Sequence, residues 1–304
     1  MAAHPPLGED AMRTLPAAGA EPVALDPDRQ LRAALPVLAA LIGYAVFLFA
    51  PPVLNDGDTW WQLAAGQWIL HHRAIPFADP FSYTFAGTPW VAQEWLSEVF
   101  TALAFRLGGW DGVLMLYGTA AGLTFGLLAL HLRRWTDGLC LVLLLALGAA
   151  CTSGSLLVRP HLLALPVLEL WTAGLLIARS RGAAPSLLLL PLMALWANLH
   201  GSFMLGLLLP LPLALEAAMD APPDRGTVLR GWAVFIAGAW LAALVTPQFW
   251  HGLVFPFRLL AMHDLAAITE WRPTNFATLQ PIEIALAVLL YVTWSRGIRL
   301  PLLR

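Results

Sequence analysis

Eight apolar segments of roughly 15–21 residues divide this chain of 304 residues and limit what it can fold into. A helix of about 20 apolar residues crosses the hydrocarbon core of a bilayer and satisfies its own backbone hydrogen bonds there. Only 12% of the residues are charged, about half the fraction of a soluble domain. The sequence therefore predicts an all-α, polytopic membrane helix bundle with about eight transmembrane helices. The expected crossings are 31–50, 112–132, 138–157, 161–178, 184–199, 202–218, 231–247 and 281–295.

All 17 basic residues are arginine, and their distribution between the connecting segments predicts the orientation. With a cytoplasmic N-terminus, most of them fall on the inner side, as the positive-inside rule requires. Apart from Arg13 in the N-terminal tail, the inner arginines are Arg29, Arg32, Arg133, Arg134, Arg179, Arg181, Arg225, Arg230, Arg296, Arg299 and Arg304. The outer ones are Arg73, Arg106, Arg159, Arg258 and Arg272. A net charge of −2 gives no sign of a nucleic-acid partner.

The segments outside the crossings differ in composition. Residues 1–28 are rich in Ala, Pro and acids, which predicts a disordered cytoplasmic tail before a single transmembrane domain, 29–304. The first outer segment, 51–111, is expected to hold two amphipathic helices at the membrane surface. These are Thr59–His72 and Val91–Leu107.

Two segments leave the topology open. If 91–107 crossed the membrane, Arg133 and Arg134 would move to the outer side. If 184–218 were one pass rather than two, Arg225 and Arg230 would do the same. The arginine distribution favours an interfacial helix in the first case and two passes in the second.

Asp56 and Asp58 lie one residue apart just after the first crossing, followed by two tryptophans. Paired carboxylates suit a divalent cation such as Mg²⁺ or Mn²⁺, or the work of a general base. The structural alternative is a turn in which Asp58 caps a helix beginning at Thr59. Polar residues at the mouth of a membrane bundle often mark a substrate path, which favours the functional interpretation.

Glu94 and Glu98 lie four residues apart and share one face of a helix. Like charges at this spacing are unfavourable unless a positive group separates them. Glu94 is therefore a second candidate for proton transfer, and the alternative is a solvated face of an interfacial helix.

Arg159 and His161 flank Pro160 at the outer start of the fourth crossing. Proline suits the first turn of a helix, where free backbone N–H groups and an arginine can bind a phosphate. The alternative is an arginine that reaches the interface with only its head group.

Asn198, His200 and Gly201 interrupt apolar sequence, as in broken helices that line a cavity. His200 is a candidate ligand or acid–base group, against the alternative of a hydrogen-bonded packing residue. In the second large outer segment, 248–280, Arg272 could bind an anionic head group or pair locally with Glu270.

These patterns resemble the GT-C superfamily of multi-pass membrane glycosyltransferases, of the protein O-mannosyltransferase and aminoarabinose-transferase kind, and a group of uncharacterised bacterial members. The likeness covers about residues 31–280 and lies in 56–61, 79–84, 93–98, 159–161 and 196–201. It implies a polyprenyl-phosphate-linked sugar donor, a lipid, glycan or protein acceptor, and transfer at the outer face of the bacterial inner membrane. It assigns the base or cation ligand to Asp56 or Asp58, and places Arg159 and His200 at the phosphate.

The chemistry expected from the residues is an inverting transfer assisted by arginine or a metal, with one carboxylate as base and no covalent intermediate. Two alternatives remain open. One is a non-catalytic lipid or glycan carrier, a transporter or an assembly subunit; the other is a degenerate glycosyltransferase kept as a scaffold.

Overall fold

The computed structural model describes residues 27–50, 53–220, 224–262 and 275–297. No strand occurs in these ranges, and one isolated bridge pairs Ala78 with Pro89. The all-α class is thereby confirmed. The helices are α1 (Pro27–Phe49), α2 (Gly57–His72), α3 (Trp95–Leu132), α4 (Gly138–Thr152), α5 (Pro160–Ser180), α6 (Leu190–Leu199), α7 (Phe203–Leu208), α8 (Pro210–Asp220), α9 (Arg225–Ala243), α10 (Trp250–Leu260) and α11 (Pro281–Ser295). Most of the predicted tail, residues 1–26, lies outside the described residues. Its last two residues, Pro27 and Asp28, are the first residues of α1.

Within the described ranges, six apolar helices are long enough to cross a membrane, against the eight crossings expected from the sequence. They are Arg32–Phe49, Trp95–Leu132, Gly138–Ser155, Pro160–Ser180, Phe203–Asp220 and Arg225–Ala243. The segments predicted as the fifth and eighth crossings form shorter apolar helices, Leu187–Leu199 and Pro281–Ser295. Exposed faces of α1 and α4 are rich in large apolar side chains, such as Leu41 and Leu143, as expected for lipid contact.

The long helix α3 consists of two arms, 95–107 and 110–132. Gly109 separates them at φ 59° and ψ −144°, a conformation open almost only to glycine. The Thr101 hydroxyl lies 2.8 Å from the Tyr117 hydroxyl, although a straight helix would hold them about 24 Å apart. The first arm therefore folds back along the second. The helix expected over 91–107 corresponds to this first arm, which starts at Trp95.

The helix α1 packs against the second arm of α3 through three glycines spaced four residues apart. A Cβ on Gly122 would come within 2.7 Å of the Ala40 carbonyl, and one on Gly126 within 3.1 Å of the Pro36 carbonyl. Gly118 completes the row against Tyr44 of α1. Small residues at this spacing let two helix backbones approach closely, which drives association in lipid.

The directions of the helices place arginines at one end of the bundle. Arg133 Nη1 at the end of α3 donates to the Arg32 carbonyl near the start of α1, at 3.1 Å. The second arm of α3 and α5 begin around one buried core, so α5 also ends on this side, with Arg179 and Arg181. We call this the basic end. The opposite end, where α5 begins at Arg159, is the polar end.

Candidate functional site

Four helix ends meet at the polar end. Asp56 precedes α2, Glu94 precedes α3, Arg159 precedes α5, and His200 follows α6. Contacts such as that of Asp56 with Arg159, 103 positions apart in the chain, bring together six side chains identified from the sequence. We call Asp56, Asp58, Glu94, Arg159, His161 and His200 the polar cluster.

Two hydrogen bonds fix the start of α2 against the start of α5. The Val158 N–H donates to the Val53 carbonyl at 3.1 Å, and the buried Thr59 hydroxyl donates to the Val158 carbonyl at 3.1 Å. Arg159, the next residue, is thereby held against the acidic turn that opens α2. The backbone thus positions the arginine before any charge interaction contributes.

Arg159 binds both aspartates through its guanidinium group. Its Nε donates to Asp56 Oδ2, and its Nη2 donates to Asp56 Oδ1 at 2.9 Å. The same Nη2 lies 3.2 Å from Asp58 Oδ2. Asp56 also accepts the Asp58 N–H at 3.1 Å and is the N-cap of α2, the position that the structural alternative gave to Asp58. The hydrogen bond from Arg159 holds the pKa of Asp56 below its usual value, against a smaller opposing effect of burial.

Asp58 is the more accessible of the two aspartates. Its side chain is 46% exposed, against 10% for Asp56. Its Oδ1 accepts the Trp61 indole N–H at 3.1 Å, which orients the carboxylate within the first turn of α2. Asp58 is therefore the carboxylate of this pair that a solute can reach more readily.

Glu94 and His200 form a second pair at the polar end, with His200 Nε2 3.3 Å from Glu94 Oε1. The Ser202 N–H donates to His200 Nδ1 at 3.1 Å, and the Ser202 hydroxyl lies 2.8 Å from the same nitrogen. Nδ1 is therefore an acceptor, and the ring proton lies on Nε2, towards Glu94. Ser202 was not among the candidate residues identified from the sequence.

Burial moves the two pKa values of this pair apart. It raises the pKa of Glu94 to about 8, helped by the negative charge of Asp58 and opposed by Arg159. It lowers the pKa of His200 to about 3, helped by nearby His161. At neutral pH Glu94 is mostly a neutral acid and His200 a neutral imidazole, beside an ionised Asp56.

His161 and Asn198 have different positions relative to the cluster. The His161 ring lies 6.0 Å from that of His200 and its Nε2 is 2.6 Å from the Ser155 carbonyl. Asn198 is buried and lies outside the cluster, where Trp95 donates to its Oδ1 at 2.7 Å. Its amide also donates to the carbonyls of Ala194 and Val245. Asn198 thus joins α6 to its neighbours, and Arg272 lies outside the described residues.

Buried polar residues of the first α3 arm attach it to the end of α6. Ser97 donates to the Leu199 carbonyl at 2.8 Å, and Gln93 to the Ala197 carbonyl at 3.4 Å. These contacts set the distance between Glu94 and His200. The run of polar residues at 93–98 was the signal in the sequence. It indicated the two glutamates as candidates and did not single out Gln93 or Ser97.

A shallow apolar groove of about 470 Å³ begins beside the cluster. Trp95 and Asn198 line its near end, and Leu96, Leu195 and Val245 continue it. Trp95 follows Glu94 directly and Asn198 precedes His200 by two positions, so the groove lies near the cluster.

The divalent cation expected from the sequence would have to share the two aspartates with Arg159. Both oxygens of Asp56 and one of Asp58 are engaged by Arg159, and the other Asp58 oxygen by Trp61. Within the described ranges no three His, Cys, Asp or Glu side chains form a metal-binding group. The positive charge next to these carboxylates is that of the guanidinium.

Comparison with known proteins adds no family. No family model, no curated protein and no solved structure matches this chain. In the described ranges, the fold and the cluster define an all-α protein with helices of membrane-spanning length and a partly buried group of ionisable side chains at one end.

Proposed function

We propose that this protein is a GT-C-like glycosyltransferase. It would move a sugar from a polyprenyl-phosphate donor to a hydroxyl acceptor at the outer face of a bacterial inner membrane. The N-terminus and the basic end would be cytoplasmic, and the polar end extracytoplasmic, in keeping with the positive-inside rule. The observation that carries the proposal is the meeting of two aspartates, an arginine and a protonated glutamate beside an apolar groove.

Asp58 is the base in this proposal. It is the exposed carboxylate of the cluster, and Trp61 and Arg159 fix its orientation. Asp56 is largely buried, caps α2 and holds Arg159, so it is a positioning residue. The sequence left Asp56 and Asp58 as equal candidates, and their different exposure supports this division of roles.

Glu94 is the acid. Its raised pKa keeps a proton available at neutral pH, while the Arg159 guanidinium holds the pKa of Asp56 below its usual value. Carboxyl groups with pKa values driven apart by their surroundings are the usual arrangement for paired acid–base work. The Nε2–H group of His200 lies next to the Glu94 carboxyl, with 3.3 Å between Nε2 and Glu94 Oε1.

The proposed reaction is a single inverting displacement. The acceptor oxygen forms a bond to the anomeric carbon, and its proton passes to the Asp58 carboxylate. The bond from the anomeric carbon to the phosphate oxygen breaks with both electrons on oxygen, and Glu94 donates its proton to the departing phosphate. Arg159 stabilises the phosphate charge, and proton exchange with water restores Asp58 and Glu94.

The apolar groove supplies a place for the donor's prenyl chain. Leu96, Leu195 and Val245 offer apolar surface, and burial of each methylene contributes about 0.8 kcal/mol. The chain would lead from the lipid to Trp95, next to the proposed acid. This connects the lipid carrier to the reacting phosphate without a further domain.

Release of free polyprenyl phosphate from the reconstituted full chain tests the proposal. The probes are polyprenyl-phosphate-linked mannose, glucose, arabinose and aminoarabinose. Asp58→Asn should reduce turnover about 10²–10⁴-fold, the usual contribution of a general base. The matched control is Asp111→Asn, an exposed aspartate at the start of the second α3 arm. Equal turnover for both variants, or no release from any donor, would refute the assignment.

A non-catalytic carrier is the second candidate, favoured by one feature. The chain turns at 200–202 between α6 and α7, and transporters use such interrupted helices at their substrate sites. Mass spectrometry of co-purifying lipids, combined with the turnover assay, separates the two. Bound polyprenyl-phosphate sugar that is never cleaved would indicate the carrier.

A further inference from the structure

A second cavity lies at the basic end, far from the polar cluster. It has a volume of about 510 Å³ and lies between the start of α1, the end of α3 and the start of α4. Arg32, Arg133 and Arg134 line it together with one acid, Asp137. None of these residues takes part in the proposed transfer.

The cavity carries an excess of positive charge. Arg32 Nη2 pairs with Asp137 Oδ2 at 2.6 Å, which neutralises one arginine. Arg133 donates to the Arg32 carbonyl at 3.1 Å and retains its charge. Arg134 forms no ion pair with any residue of the described ranges. Two positive charges therefore face one cavity.

The other walls of the cavity are apolar and continue onto the membrane-facing surface. Leu35, Leu130, Leu141 and Val142 line it, and 49% of the Val142 side chain is exposed. Trp135, 63% exposed, follows Arg134 directly, and tryptophan is enriched at the boundary between lipid and water. The site thus combines a cationic head-group region with an apolar path for an acyl chain.

We infer that this cavity binds an anionic phospholipid of the surrounding leaflet. The phosphate lies against Arg133 and Arg134, and an acyl chain follows Leu130 and Val142. Basic pockets between transmembrane helices bind anionic head groups in this way, and each arginine near the surface contributes about 1 kcal/mol. A zwitterionic lipid of the same chain length fits the apolar walls but gains less from the arginines.

Native mass spectrometry of the full chain in neutral detergent tests the inference. Phosphatidylglycerol and phosphatidylcholine with identical acyl chains are the probes. Phosphatidylglycerol should bind more tightly, and Arg133→Gln and Arg134→Gln should each weaken it about fivefold without affecting phosphatidylcholine. Arg181→Gln, an exposed arginine at the same end but outside the cavity, is the matched control and should change nothing.

One variant should strengthen binding, which a folding defect would not do. Asp137→Asn removes the only acid of the cavity lining and frees Arg32, so phosphatidylglycerol affinity should rise about fivefold. Equal affinity for the two lipids, or weaker binding by Asp137→Asn, would overturn the inference. Displacement of phosphatidylglycerol by inorganic phosphate at constant ionic strength would also overturn it, because it would indicate a site for the free ion.

Discussion

Arg159 holds the acidic turn of α2 against the start of α5, and its main partner is Asp56. The Asp56 side chain is only 10% exposed, accepts from two guanidinium nitrogens and also caps the helix. Removing either partner of such a pair leaves the other charge poorly compensated. The pair of Arg159 and Asp56 therefore stabilises the packing of α2 against α5 and is also part of the candidate site.

Asp56→Asn should reduce the acid sensitivity of the fold. The pKa of Asp56 is lowered on folding, so its stabilising contribution is present above the ordinary value of 3.8 and is lost as pH falls through the folded pKa. Thermal unfolding in detergent should give a lower Tm for the variant at pH 7, with the difference from the native chain shrinking towards pH 3. A constant difference across this range would contradict the role of the ion pair.

Glu94→Gln should stabilise the protein in mildly alkaline solution. The pKa of Glu94 rises from 4.5 to about 8 on folding, so the folded state binds more protons than the unfolded state between these values. Stability therefore declines across this window as pH rises, and a glutamine removes that decline. The variant should unfold a few degrees higher at pH 8 and about equally at pH 4.5.

The same variant, Glu94→Gln, should lower the rate of sugar transfer although it raises stability at pH 8. Glutamine keeps the contact with His200 but has no proton to donate, so the rate of sugar transfer should fall about 10²-fold or more. The native chain should lose activity above about pH 8 as Glu94 ionises, and the residual activity of the variant should lack this alkaline decline. An unchanged pH profile would remove Glu94 from the reaction while leaving the stability result intact.

Close packing of α2 on the first arm of α3 determines where Glu94 lies. A Cβ on Gly66 of α2 would overlap the backbone carbonyl of Glu98, one turn beyond Glu94. Gly57, in the first turn of the same helix, has no atom within 4 Å of such a Cβ. The two glycines therefore offer a matched pair for testing how much the contact contributes.

Gly66→Ala should destabilise the protein by about 1–3 kcal/mol, the usual cost of overpacking, because a backbone carbonyl cannot move aside easily. Gly57→Ala should be close to neutral. Denaturation in mixed micelles, followed by tryptophan fluorescence, measures both. Equal stability of the two variants would show that α2 can shift away from α3 at little cost.

The sequence predicted individual elements better than their contacts. Apolar length indicated the helices, and the arginine distribution separated the 91–107 helix from the next crossing. The pairing of Asp56 with Arg159 joins residues 103 positions apart and depends on how helices pack, which no local pattern encodes. Gly118, Gly122 and Gly126 are spaced four residues apart, a pattern typical of close helix packing in membranes. In the structure these glycines lie against α1.

At the scale of the whole molecule, the two ends of the described bundle differ in their excess charge, with Arg133, Arg134, Arg179 and Arg181 at the basic end. Arg179 illustrates the basic end, where it pairs with Glu216 at 3.2 Å and with Asp220, both on α8. The polar end carries Glu94 and His200 instead. In the proposed orientation, which follows the positive-inside rule, the groove near the polar cluster and the cavity at the basic end face different compartments.

Cysteine labelling on intact cells should place the two ends on opposite sides of the membrane. Cys140 and Cys151 are both exposed and are first replaced by serine. Tyr83→Cys, at a fully exposed position in the loop after α2, should react with a membrane-impermeant maleimide added outside. Trp135→Cys, at the basic end, should react only after lysis, because its side would be cytoplasmic. Labelling of both positions from the same side would contradict the bundle orientation and the placement of the proposed reaction outside the cell.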